Sequence, residues 1–228
     1  IAAIYNHHFR EDPDFPIIEY LMEMNGGDRG EVFLRLLEEV CHSDPRPHKS
    51  IKKLVGLIPE YKTDGFKTAV KTSPFLHYFF GWYSKDEDQI TLEIIETLLD
   101  VCPEAASITS NVTCPDSQKH NFSYPIREAC SCGLGCRDKI IELLVEKTEP
   151  GAFSHMCVCS YMGLFEGWQN VAGTPLHYYV THGGNAKIVK LLVEKCPEAV
   201  TIMDGRNKLT PLHAILHSFH VEPDVVKF

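Results

Sequence analysis

Sulfur is the first candidate for chemistry in this sequence. Cys130, Cys132 and Cys136 stand close together, and Cys157 and Cys159 follow, with His155 two residues ahead of them. Four thiolates, or three and a histidine, could hold zinc tetrahedrally, so a zinc-stabilised structural domain through Cys130, Cys132, Cys136, Cys157 and Cys159 is one reading. Structural zinc sites usually draw on pairs of C-x2-C loops, however, and neither C-x-C here has that reach. Cys130 also falls in line with Val180 and Leu216, which the repeat described below makes core positions of a helix. Buried thiols are therefore preferred, and no metal or other cofactor is expected.

The 12 histidines lead no further towards catalysis. None is tied by sequence to a nucleophile and an acid partner, and His7, His8, His182, His217 and His220 fall near ends or after helices, where a surface role suffices. Gly26-Gly27-x-x-Gly30 and Gly133-x-Gly135 lack the strand-then-helix setting and the Lys-Ser/Thr ending of a phosphate loop. Glu38-Glu39 and Asp86-Glu87-Asp88 read as solvated faces, and the aromatic run Tyr78 to Tyr83 as helix core rather than a ligand cage. No enzyme is expected within these residues.

What must position these side chains is a repeat. Thr174-Pro175-Leu176-His177 returns 36 residues later as Thr210-Pro211-Leu212-His213. Ile140 to Lys147 matches Ile188 to Lys195, Leu92 to Leu99 has the same periodicity, and Cys102-Pro103-Glu104-Ala105 recurs letter for letter as Cys196-Pro197-Glu198-Ala199. Ile58-Pro59-Glu60-Tyr61 reads as a decayed third copy. Threonine followed by proline is a good helix start, because the hydroxyl can accept from free first-turn amides and proline lacks a donor where none is needed. The histidine after it can bond loop backbone and tie one unit to the next. Gly183-Gly184 reverses the chain, a second helix follows with a broad apolar stripe at 188, 189, 191, 192 and 193, and Pro197 stops it.

The Thr-Pro-Leu-His signature, the glycine break and the Val-Lys-Leu-Leu type of second helix resemble the ankyrin repeat. Weaker copies of the first-helix motif are Tyr124-Pro125-Ile126-Arg127, which lacks the histidine, and Ser73-Pro74-Phe75-Leu76-His77, which carries one extra residue. The resemblance implies an all-α ankyrin-repeat solenoid of stacked helix-turn-helix units with long inter-repeat loops. It assigns residues 73–228 to an array of about four repeats, the last truncated, and residues 1–72 to a helical N-terminal region that can be a capping repeat. Within that region Pro16 to Asn25, Glu31 to Cys41 and Ser50 to Ile58 have helical spacing. The prolines lie 51, 50 and 36 residues apart, against a usual ankyrin period of about 33. The excess is expected to loop out at Gly81 to Asp88, Ser107 to Ser123 and Gly151 to Gly173.

Composition bounds the partners. The 228 residues are 44% hydrophobic and 23% charged with a net charge of −9, so the chain is globular, and phosphate backbones and anionic lipid are repelled. No stretch approaches the roughly eighteen apolar residues of a membrane helix. An odd nine cysteines without a dense framework favour a reducing compartment, cytoplasm or nucleus. A sequence that starts at Ile1 and stops at Phe228 inside a helix-like run is expected to be part of a longer polypeptide, and an alternative reading makes the chain the regulatory ankyrin array of a larger enzyme or membrane protein. The resemblance implies a non-catalytic protein-protein interaction module, an ankyrin-repeat scaffold or adaptor, monomeric and bound to another protein rather than to nucleic acid or membrane. The binding surface is expected at the exposed first-helix residues Tyr178, Thr181 and His182 and at the hairpin tip Met203, Asp204, Arg206, Asn207 and Lys208.

Overall fold

A computed structural model describes residues 28–42, 48–80, 88–113, 120–133, 135–158, 172–205 and 207–217. They fall into two compact units, Ile1–Ile108 and Thr109–Phe228. Helices dominate both, and strand is confined to two short pairs among the described residues.

The first unit contains α1 (Arg29–His42), α2 (His48–Tyr61), α3 (Asp64–Val70) and α4 (Asp88–Val101). One carboxylate starts it: Asp28 Oδ1 accepts from the Gly30 and Glu31 amides at 2.9 and 3.1 Å, filling two of the four orphan donors of α1. The Thr63 hydroxyl donates to the same oxygen at 2.5 Å while accepting from the Phe66 amide at 3.1 Å, so the start of α3 is locked to the start of α1. The Thr63 hydroxyl, helped by the two amides, holds the Asp28 carboxyl below its ordinary pKa.

The apolar stripes interlock behind these caps. Phe33, Leu34 and Leu37 of α1 bury against Ile51, Leu54 and Ile58 of α2 and Phe66 of α3, and α2 packs in turn on α4 through Ile94, Ile95 and Leu98. Each such side chain contributes about 1.5–3 kcal/mol by leaving water. The sequence pattern of Glu31 to Cys41 and Ser50 to Ile58 is thus helix as expected, whereas Pro16 to Asn25 lies outside the described residues.

Two expectations for this unit need correction. Pro59 does not end its helix as a Cys-Pro-Glu-Ala copy would; it lies inside α2. The last turn continues because Tyr61 is held from outside, stacked on Phe33 at 4.7 Å between ring centroids with Arg29 at 5.6 Å over its face. The Ser73-Pro74 motif begins a 3-10 helix, Phe75–Phe79, rather than an α-helix. Its histidine still does what the motif promises, with Nε2 of His77 3.0 Å from the Ile108 carbonyl oxygen. Of the aromatic run, Phe79 and Phe80 are buried, and Trp82 and Tyr83 lie outside the described residues.

The second unit runs β1 (Ser110–Thr113), β2 (His120–Ser123), α5 (Pro125–Ser131), α6 (Arg137–Lys147), α7 (Gly151–Ser154), β3 (Cys157–Val158), β4 (Ala172–Gly173), α8 (Pro175–Thr181), α9 (Ala186–Lys195) and α10 (Pro211–His217). First helices contact in sequence, α5 with α8 and α8 with α10, while second helix α6 contacts α9. Ile140, Ile141 and Leu144 of α6 and Ile188, Val189 and Leu192 of α9, the positions matched in the sequence, are buried in both.

The excess residues are only partly loop. The second excursion forms an antiparallel hairpin with Ser110 opposite Ser123 and Thr113 opposite His120, and the third pairs Cys157 with Gly173. The first, at 81–87, lies outside the described residues.

The two Cys-Pro-Glu-Ala copies, one in each unit, adopt one local structure. Cys102 and Cys196 have φ/ψ of −135/69° and −146/81°, each followed by a 3-10 helix, Pro103–Ser107 and Pro197–Val200. The cysteine amide closes the preceding helix on Leu98 O at 2.7 Å in one copy and on Leu192 O at 3.1 Å in the other, and the cysteine and alanine side chains are buried in both. Proline supplies the stop because it cannot donate to the preceding turn.

Candidate protein-binding surface

The surface predicted from sequence depends on how α8 is anchored, and His177 is the anchor. Its ring is buried; Nδ1 accepts from the Thr174 amide at 3.2 Å and lies 2.9 Å from the Thr174 hydroxyl. Nδ1 is therefore the bare nitrogen, and Nε2 carries the proton that it donates to Leu209 O at 3.1 Å. Leu209 O also receives the Asp204 amide at 2.7 Å, so one carbonyl joins the histidine to the segment leading into α10. This is the tie from one repeat to the next that the motif predicts, made within the second unit. Thr210 and His213 repeat its first half, hydroxyl oxygen to Nδ1, at 2.8 Å. Burial lowers the pKa of His177, against the smaller raising effects of Leu209 O and the Asp204 charge.

Gly183 and Gly184 then turn the chain. Gly183 has φ of 75°, the left-handed region where glycine meets no penalty, and a Cβ on Gly184 would stand 2.5 Å from the ring carbons of Tyr179. Asn185 caps α9 by accepting from the Ile188 amide at 3.0 Å. The preceding helix pair reaches across to the same turn. Arg137 donates to His182 O at 2.9 Å and to Gly183 O at 3.0 Å and lies 4.7 Å from the centroid of the Tyr179 ring. Asp138 accepts from the Tyr179 hydroxyl at 2.7 Å and from the Asn185 side-chain amide.

Tyr178 is not exposed as expected: it is 5% exposed. The guanidinium of Arg127 lies 4.0 Å from its ring centroid, and its hydroxyl donates to Cys157 O at 3.2 Å. Arg127 occupies the position of the histidine that the Tyr124-Pro125 copy lacks. A buried cation over an aromatic face thus ties α5 to α8 where the motif has lost its imidazole. Glu128 offsets the charge at 2.7 Å and is itself held by the Ser123 hydroxyl at 2.6 Å.

The other predicted residues divide. Thr181 is half-buried and turns its hydroxyl back onto His177 O at 2.9 Å. His182 is exposed at the end of α8, with Nδ1 2.8 Å from Tyr178 O, and burial of its inner edge lowers its pKa. Met203 is 55% exposed, and Asn207 and Lys208 are exposed beside it, Lys208 with φ of 56°. Asp204 is the second correction, at 3% exposed: its carboxylate accepts from the Asn207 amide at 2.6 Å and so forms the tip rather than presenting itself at it. Arg206 lies outside the described residues.

The cysteines do not meet as a metal site among the described residues. Cys130, Cys132 and Cys157 are buried and Cys136 half-buried; the Cys132 thiol lies 3.1 Å from Ala129 O. Burial pushes the Cys130 thiol well up from its ordinary value. Cys159 lies outside the described residues. A depression of about 310 Å³ opens between Cys132, Gly133, Gly135, Arg137, Asp138 and His182. Its charged groups are already engaged by Gly183, His182, Tyr179 and Asn185.

Sequence reasoning missed Arg127 and the Arg137–Asp138 clamp. The first was visible as a substitution at the histidine position; the second had no motif to announce it, because its partners lie about forty-five residues away. No curated protein and no solved structure matches the chain. A family model does, the ankyrin repeat over residues 173–204, which begins at β4 and spans α8, the glycine turn, α9 and the tip as far as Asp204. With its Thr-Pro-Leu-His histidine bonded forward to Leu209, this chain carries an ankyrin repeat at residues 173–204.

Proposed function

We propose that the chain is a non-catalytic protein-protein interaction module in which stacked repeats present hairpin tips and the ends of first helices to a partner protein in the cytoplasm or nucleus. The observation that carries this reading is the ankyrin repeat at 173–204, since such repeats typically serve protein binding. The order of contacts α5–α8–α10 and α6–α9 supports stacking. Among the described residues no helix is long and apolar enough to cross a membrane. Buried thiols at Cys102, Cys130, Cys132, Cys157 and Cys196 support a reducing compartment, where cysteine packs as a small apolar side chain.

Of the residues predicted from sequence, Met203, Asn207, Lys208 and His182 form the candidate gripping surface, because they are exposed while the buried residues around them hold the tip. The test is capture of partner proteins on the immobilised chain, compared between wild type and Met203→Asp with Lys208→Glu. Capture should fall at least about tenfold, equivalent to about 1.4 kcal/mol, with the melting temperature unchanged. Equal capture by the variant counts against the tip. Asp204 is unsuitable for this purpose: its alanine variant is expected to cost about 1–3 kcal/mol of stability by freeing the Asn207 amide.

A further inference from the structure

We draw no further inference here: the strongest candidate, the apolar stripe of Leu212 and Leu216 on α10, which are 51% and 68% exposed, carries nothing because nothing in the structure shows what covers it.

Discussion

His177→Ala removes the anchor of the repeat, and its cost can be worked from the contacts. The Thr174 amide, whose residue is fully buried, loses its acceptor Nδ1, and a buried donor left without a partner costs about 1–3 kcal/mol. Leu209 O loses the Nε2–H bond at 3.1 Å but keeps the Asp204 amide at 2.7 Å, so that loss is nearer the net value of one hydrogen bond, about 1 kcal/mol. The space vacated by a ring that is 1% exposed adds a cavity cost of similar size. The total is about 3–5 kcal/mol, a large part of the roughly 5–15 kcal/mol that holds a domain of this kind folded. Urea unfolding at pH 7.5 measures it, and amide exchange over residues 202–209 locates it, since Asp204 donates to the carbonyl that His177 also holds. A loss below about 1 kcal/mol, or exchange at Asp204 no faster than in wild type, would refute the reasoning. The same anchor sets a pH dependence. The folded-state pKa of His177 lies below the ordinary 6.5 because of burial, and that of His182 is lowered likewise. Below pH 6.5 the unfolded chain therefore binds more protons than the folded one. Stability is full above that pH and declines as the pH falls through it, and His177→Gln should flatten part of the decline.

Two further substitutions follow from the buried groups. Arg127→Ala should cost about 3–5 kcal/mol in thermal or urea unfolding, since Glu128 is left with an unbalanced, mostly buried charge and Tyr178 loses its cation. Arg127→Met should recover part of that by refilling the space. In native alkylation at pH 8, the half-buried Cys136 should react before Cys102, whose thiol is fully buried and whose pKa burial pushes up to about 11. Cys102 modified as fast as Cys136 would contradict that burial.

Much of the helical framework was legible as letters because short-range physics writes it there. The eight-residue second-helix run and the Cys-Pro-Glu-Ala ending recur, and each copy of the ending takes the same backbone angles, since a proline stop and a closing amide are local. The Thr-Pro-Leu-His histidine bonds forward as its position predicts. Sequence reasoning looped out Ser107 to Ser123 and Gly151 to Gly173 without seeing that strands pair in each, which depends on residues brought together across a gap.

Exposure was the property sequence reasoning could not assign. Tyr178 and Asp204 look like surface residues by type, yet Arg127 from another helix covers one and a turn of its own loop encloses the other. Pro59 looks like a helix stop, yet Phe33 and Arg29 hold Tyr61 so that the helix runs past it. Leu216 carries the same apolar signature as Val180 and is bare. By itself the sequence determined the helix starts at Pro125, Pro175 and Pro211, the glycine turn and the two Cys-Pro-Glu-Ala ends, because caps, prolines and glycines act within a few residues of themselves. Tertiary structure alone decided which side chains are sealed and which remain available to a partner, because burial is a property of whatever packs opposite.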